Sequence, residues 1–207
     1  FLLEESLQDS SKWEALGRPS GHKEAPTGVA TEKDGAYLTN MVSVHQEIRE
    51  KDVMVSVEAH SNAEAGIVLR FQDLRNYIVA IYNPTLKAIH FFERRNGKVA
   101  PYFLYRIPHL GMVDVREIGP TFTLTAAACG SYVAMSLDDG ERIYYTPPVG
   151  IESVEGSQVG LWYSDIGELQ HYASVKVSKT LFTALTEDEA PEGQHLIRSG
   201  DDIAPSV

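Results

Sequence analysis

Apolar and polar side chains alternate with a period of two through most of the chain. In 53–59 (VMVSVEA), Val53, Val55, Val57 and Ala59 share one side while Met54, Ser56 and Glu58 share the other. That is the pattern of a strand with one buried face. In 66–71 (GIVLRF), Ile67, Leu69 and Phe71 oppose Val68 and Arg70. The run 76–82 (NYIVAIY) is apolar on both sides and predicts a central strand covered on both faces. Further strands are predicted at 88–94, 121–128, 132–137, 142–146, 158–163 and 171–177. Turn signals separate them: Asn96-Gly97, whose residue types favour the positive φ angles of a tight hairpin, then Gly130, then 138–140 (DDG). Short strands at this spacing describe an all-β sandwich or barrel. Helical signals are few. Ser11-Lys12-Trp13-Glu14 has capping-box spacing, but Gly17, Pro19 and Gly21 limit any helix there to a turn or two. Residues 17–30 read as a loop.

With 207 residues, the chain has the length of one domain, or of one domain with an arm. At 43% hydrophobic and 23% charged residues it can build a core without disulfides or metals. Residues 180–207 differ in composition, with six acids against Arg198 alone and with Pro191 and Pro205 as breaks. The expected organisation is therefore a sandwich over 1–179 and an acidic arm or linker over 180–207. The formal net charge of −11 argues against nucleic acid and against anionic membrane surfaces, both of which need a Lys/Arg face. The longest apolar runs, such as 77–82, fall far short of the roughly 18 residues of a membrane helix. The sequence opens on Phe1 rather than Met, which suggests a trimmed N-terminus. Cys129 is the one cysteine, so an intrachain disulfide and a cysteine-rich zinc site are excluded, and a buried structural thiol is expected.

The common catalytic signatures are absent: no GxSxG, HExxH, GxxxxGK[ST] or GxGxxG occurs. The seven histidines (22, 45, 60, 90, 109, 171 and 195) are scattered without metal-ligand spacing. Glycoside hydrolysis needs two facing carboxylates roughly 5–10 Å apart. Glu58 and Glu93, from different strands, are the candidate pair, and solvated strand acids the plainer reading. Residues 136–140 (SLDDG) partly resemble a sialidase Asp-box, but Ile143 stands where that motif has Trp, and an Asp-Gly hairpin explains them better. Aromatics sit beside polar side chains at Tyr82, His90, Phe92, Trp162 and Tyr163. Sugar rings stack their C–H faces on aromatics and pair their hydroxyls with Arg, Asn and carboxylates. A concave sheet carrying Arg70, Tyr82, His90 and Trp162 would suit them, with core packing as the competing role for Trp162.

Residues 65–83 (AGIVLRFQDLRNYIVAIYN) followed by 89–99 (IHFFERRNGKV) resemble a pattern of the concanavalin A-like lectin/glucanase superfamily. That pattern is A-G-φ-φ-φ-R-φ-x-D-x-x-N-Y and then φ-x-φ-x-R-x-x-G. The nearest versions are laminin-G-type jelly rolls and bacterial domains related to 3-keto-disaccharide hydrolases. Trp13, the 34–38 segment (DGAYL), the Gly130-to-Gly140 hairpin and the Gly156-to-Trp162 strand fall in the matching order, over about 1–178. The resemblance implies two antiparallel sheets of about six strands each and glycan handling on a concave face. By position it singles out Arg70, Asn76 and Tyr77. The chain departs from the hydrolase-like relatives in lacking a Glu-x-Gln strand. At 171–175 it reads HYASV where many relatives carry Asp-Asp near a calcium, so no cofactor is expected, and calcium stays open but unsupported by the sequence.

The expectation is a carbohydrate-binding, lectin-like module of an exported bacterial protein: secreted, periplasmic or on the cell surface. Its partner would be a polysaccharide or glycoside, with neighbouring domains of a longer protein alongside. Arg70, Asn76, Tyr77, Tyr82, His90 and Trp162 are the expected ligand contacts. Two other functions compete: a glycoside-processing enzyme using Glu58 and His90, and a protein-interaction or structural domain.

Overall fold

The computed structural model describes residues 3–5, 11–16, 41–61, 64–96, 98–101, 112–151, 155–163 and 170–179. The predicted 180–207 arm and the 34–38 strand lie outside them. Fifteen strands are present among the described residues: β1 (Leu3–Glu5), β2 (Trp13–Leu16), β3 (Met41–His45), β4 (Val53–Ser61), β5 (Ala65–Asp73), β6 (Asn76–Asn83), β7 (Ala88–Arg95), β8 (Lys98–Pro101), β9 (Met112–Asp114), β10 (Thr121–Cys129), β11 (Tyr132–Asp138), β12 (Ile143–Tyr145), β13 (Val149–Gly150), β14 (Gln158–Tyr163) and β15 (Gln170–Lys179). They form two antiparallel sheets. One has seven strands, in the order β1-β15-β4-β10-β11-β12 with β13 beside β11. The other has eight, in the order β2-β3-β14-β5-β6-β7-β8 with β9 beside β7.

The alternation that predicts the strands also places the core. Val53, Val55, Val57 and Ala59 of β4, with Phe122, Leu124 and Ala126 of β10 and Val175 and Val177 of β15, face Ile67 and Leu69 of β5, Ile78 and Ala80 of β6, and Ile89 and Phe91 of β7. All are nearly solvent-free, and each branched or aromatic side chain buried in this way contributes about 1.5–3 kcal/mol. The other side of β6 (Tyr77, Val79 and Ile81) is buried in a second cluster, so β6 is the doubly covered central strand that its sequence predicts. The turns also fall where expected. Gly130 (φ 55°) and Gly140 (φ 88°) adopt left-handed backbone, as does Asn96 (φ 50°) between the paired residues Arg95 and Lys98.

Trp13 does not start a helix. It lies in β2, paired with His45 of β3, and its buried ring meets the His45 imidazole edge-on at 5.1 Å. Burial of that ring and pairing to an existing sheet edge outweigh a local capping signal in a segment too short to stabilise a helix. The capping-box reading is therefore corrected.

The strict alternation of β5 breaks at Arg70. Its φ is 52°, and Leu69 and Arg70 together face Val159 alone, because Val68 pairs with Gly160 and Phe71 with Gln158. This is a β-bulge, which inserts one residue and reverses the facing of those that follow. Phe71 therefore turns to the outer cluster rather than joining Ile67 and Leu69, and Arg70 turns back toward the other sheet. Gly156 runs against the bulge so closely that a Cβ there would lie 2.3 Å from the Arg70 carbonyl oxygen, a contact only glycine avoids.

Candidate functional site

The outer face of the eight-stranded sheet carries the residues with the chemistry to hold a ligand. Trp162 of β14 stands opposite Gly66 of β5, and its side chain covers the space that a Cβ at Gly66 would need; the gap would be only 2.9 Å. Phe92 of β7 meets the Trp162 ring edge-on at 5.1 Å, Tyr77 lies 6.5 Å from it, and Phe71 lies 5.8 Å from Tyr77. The valines and Ile81 of the same face fill the space between the rings. From below, Tyr172 of the opposite sheet passes its hydroxyl through the core. It accepts the Gly66 N–H at 2.9 Å and donates to the Trp162 carbonyl at 2.7 Å, which anchors the backbone under the indole.

The polar members lie along β7. Arg94 pairs with Tyr77 across β6 and β7, and its guanidinium carbon sits 5.8 Å from the Tyr77 ring centroid, within cation–π range. Its buried Nε has no hydrogen-bond partner among the described residues. Burial raises the Tyr77 phenol above its ordinary value of 10.0, and the nearby Arg94 charge partly offsets that. His90 pairs with Ile81 and is buried, which pushes its pKa below the ordinary 6.5; the Phe91 carbonyl opposes this in part. Its imidazole is neutral at physiological pH. Trp162 and Tyr77 are buried, whereas Phe92 and Arg94 are partly exposed, so these two are the members a ligand would reach first.

The structure thus brings together Tyr77, His90 and Trp162 of the predicted set and separates the others. Arg70 is corrected: it does not look into a hollow. Its Nε donates to the Lys51 carbonyl at 2.9 Å, and its Nη2 donates to Asp52 Oδ1 at 3.0 Å and to the Gly130 carbonyl at 2.8 Å. Asp52 in turn accepts the Gly130 N–H at 2.9 Å. The guanidinium clamps β5 to the turn before β4 and to the β10–β11 turn, at one end of the sandwich. Tyr82 is corrected as well. It follows Ile78 and Ala80 into the inter-sheet core, where its ring packs edge-on against Phe122 at 5.0 Å. Asn76 braces two turns, donating to Asp73 Oδ1 and accepting the Asn96 N–H, both at 3.0 Å. Arg94 is the addition, and Phe92, noted in the sequence only as an aromatic beside polar side chains, joins the site with it. Phe92 and Arg94 stand two and four residues after His90, and that period-two spacing in 88–94 was the available signal.

The candidate catalytic groups do not assemble. Glu58 lies on the exposed outer face of the seven-stranded sheet, whereas His90 lies on the opposite outer face of the sandwich. Glu93 has the inward parity of Ile89 and Phe91, and its Oε1 takes the Arg95 guanidinium at 2.6 Å. No single substrate can lie between Glu58 and either His90 or Glu93. Cys129 is buried, as expected for a structural thiol.

No family model matches the chain, and no curated protein matches it. Solved structures do. The carbohydrate-binding module CBM66 from Bacillus subtilis superposes with a TM-score of 0.57 at 12% identity, over 83% of this chain and 98% of that one. The GH43 protein BlXynB from Bacillus licheniformis gives 0.56 at 13% identity over 86% of this chain, which spans 39% of that protein's length. The exoplasmic/lumenal domain of VIP36, in a form bound to calcium and mannose, gives 0.52 at 10% identity over 82% and 84% of the two chains. The two antiparallel sheets and the likeness to these structures show the fold, a concanavalin A-like jelly-roll sandwich.

Proposed function

We propose that this domain is a carbohydrate-binding module that takes its glycan on the outer face of the eight-stranded sheet. The observation that carries the reading is the partly exposed pair of Phe92 and Arg94 on β7, backed by the buried rings of Trp162 and Tyr77, with the His90 imidazole on the same side of the strand. The Phe92 ring offers a π-surface to the C–H face of a sugar. A guanidinium with an unpartnered Nε offers donors to its hydroxyls, or to a carboxylate on an acidic sugar. The similar structures include a carbohydrate-binding module and a domain bound to mannose, which supports a saccharide ligand. A modular setting in a longer exported bacterial protein fits the reading, since the similar GH43 protein carries this fold as 39% of its length. Among the described residues no helix is long and apolar enough to cross a membrane.

The test is a broad glycan array followed by calorimetry on the hits. Micromolar-to-millimolar affinity for one glycan class is expected. Phe92→Ala and Arg94→Gln should each weaken it at least tenfold, about 1.4 kcal/mol, while circular dichroism shows the sandwich intact. Absence of any glycan binding across the array and in calorimetry would refute the reading.

A further inference from the structure

Arg94 carries a charge that its neighbours do not compensate. Arg70 meets Asp52 at 3.0 Å, Arg95 meets Glu93 at 2.6 Å, and Arg116 meets Asp139 and Glu141 at 3.3 and 2.6 Å. Among the described residues no carboxylate pairs with Arg94 and no oxygen accepts from its guanidinium, whose contact is the face of the Tyr77 ring. Burial raises the Tyr77 phenol, so it stays protonated and adds no counter-charge. The described acids of this sheet lie elsewhere. Glu14 shares the side of Val44, but it sits on β2, five strands from β7, about 24 Å at the usual strand spacing. Asp114 faces Ala88, and Arg94 stands about 20 Å further along β7. Both separations exceed the ~8 Å over which exposed charges act in physiological salt. Asp73 commits its Oδ1 to the Arg75 N–H and the Asn76 amide, at 2.7 and 3.0 Å. In a chain of net charge −11, an uncompensated cation on this face is an exception to the overall balance.

We propose that the glycan taken here is an acidic one, and that Arg94 selects a hexuronate through its carboxylate. The inference rests on the carbohydrate reading above and names the class of sugar. Phe92 and Arg94 are both partly exposed and share the outward side of β7, two residues and about 6.7 Å apart. A hexuronate laid on the Phe92 ring carries its planar carboxylate on C5, just outside the sugar ring, so one residue of the glycan spans both side chains. Guanidinium and carboxylate match as a two-bond fork, and hydrogen bonds between ionised groups are roughly twice as strong as neutral ones. The hydroxymethyl group of a neutral hexose offers a single uncharged oxygen at the same place and leaves the guanidinium charge unanswered. The buried, largely apolar side chains of Tyr77, Val79 and Trp162 back the pair, and the lower local dielectric strengthens an ionic contact made there. The Tyr77 ring also holds the guanidinium before a ligand arrives, which reduces the side-chain freedom lost on binding.

The test is calorimetry of the full chain with oligomers of mannuronate, guluronate, glucuronate and galacturonate, each beside its carboxyl-reduced, neutral counterpart. At least one uronate should bind tenfold or more tighter than its reduced form, and the preference should shrink as NaCl rises from about 50 to about 500 mM. Arg94→Gln should bring the ratio of the two affinities to about one. Arg94→Lys, which keeps the charge but not the fork, should retain only part of the preference. Phe92→Ala should weaken both members of a pair alike, and circular dichroism checks that each variant is folded. Equal or tighter binding of the neutral sugar overturns the inference while leaving the carbohydrate reading standing, as does a preference that survives Arg94→Gln. A sulfated oligosaccharide that binds as tightly as the uronate would overturn the assignment to a carboxylate. If neither uronates, neutral sugars nor sulfated sugars bind, the carbohydrate reading itself fails and this inference falls with it.

Discussion

Arg70→Ala removes three hydrogen bonds at once and leaves the Lys51 and Gly130 carbonyls and Asp52 without their common donor. Removing one partner of a buried ion pair costs about 3–5 kcal/mol when the remaining charge has nowhere to turn. Here the Arg70 side chain is 8% exposed but that of Asp52 is 29% exposed, and Asp52 keeps the Gly130 N–H. Water can reach the orphaned carboxylate, so the expected loss is smaller, about 2–4 kcal/mol. Alanine still has to hold the left-handed backbone of the bulge, which costs an L-residue roughly 1–2 kcal/mol relative to glycine. Arg70→Gly should therefore be more stable than Arg70→Ala by about 1 kcal/mol, an order opposite to that expected in a regular strand. Urea unfolding followed by Trp fluorescence measures both variants. In a domain of this size 1 kcal/mol moves the thermal midpoint by about 2–4 °C, so Arg70→Ala should melt roughly 5–15 °C lower. Glycan affinity of the folded fraction should not change. The reasoning is refuted if Arg70→Ala unfolds within about 0.5 kcal/mol of the parent, if glycine is the worse substitution, or if a fully stable Arg70→Ala loses the glycan.

Two further outcomes bear on the same architecture. Tyr172→Phe keeps the ring in the core but removes the hydroxyl that accepts the Gly66 N–H and donates to the Trp162 carbonyl, at a cost of about 1–3 kcal/mol in denaturant titrations. It should also weaken glycan binding through the loosened indole, with a shift in Trp emission; an unchanged midpoint would show that the strands re-pair without the hydroxyl. For His90 the folded state holds the pKa below 6.5, so the unfolded chain binds the proton more readily. Its contribution to stability is therefore full above pH 6.5 and is lost as pH falls from there toward the folded-state value. His90→Leu should flatten the stability-against-pH curve over that window, and identical slopes in parent and variant would remove burial as the cause.

Strands and hairpins were legible in the sequence because their signals are local. Alternation at 53–59 and the two-sided apolar run at 76–82 set the inward and outward parity of β4 and β6, and Asn96, Gly130 and Gly140 mark turns by residue type. Parity also held at Trp162 and Tyr77, which reach the same outer cluster. It failed at Arg70. The letters of 66–71 continue a clean alternation, yet the guanidinium is drawn inward by Asp52 and Gly130, 18 and 60 residues away in sequence. Those partners reverse the parity of Phe71 and hand it to the ring cluster. The cation at the ring cluster is then Arg94, which β7 places beside Tyr77 by cross-strand register.

The same logic explains the histidines. Seven scattered positions show no ligand spacing along the chain, yet a sheet makes backbone neighbours of residues that pair across strands, as it does of positions 60 and 171, 111 apart in sequence. Register is set by the burial of one face, since a one-residue slip would expose Val53, Val55 and Val57 and bury Ser56 and Glu58. Core packing between the sheets therefore fixes the juxtaposition of Glu58, His60 and Thr121 on the outside, although none of these three contributes to the core. The outer face of β6 obeys the opposite constraint: Tyr77, Val79 and Ile81 make it apolar, and its chemistry had to be added from β7 and β14 at its flanks. One sheet thus carries the Phe92 ring and the Arg94 guanidinium on its outer face and the other the exposed Glu58, His60 and Thr121, which is why the glycan is assigned to the eight-stranded side of the sandwich.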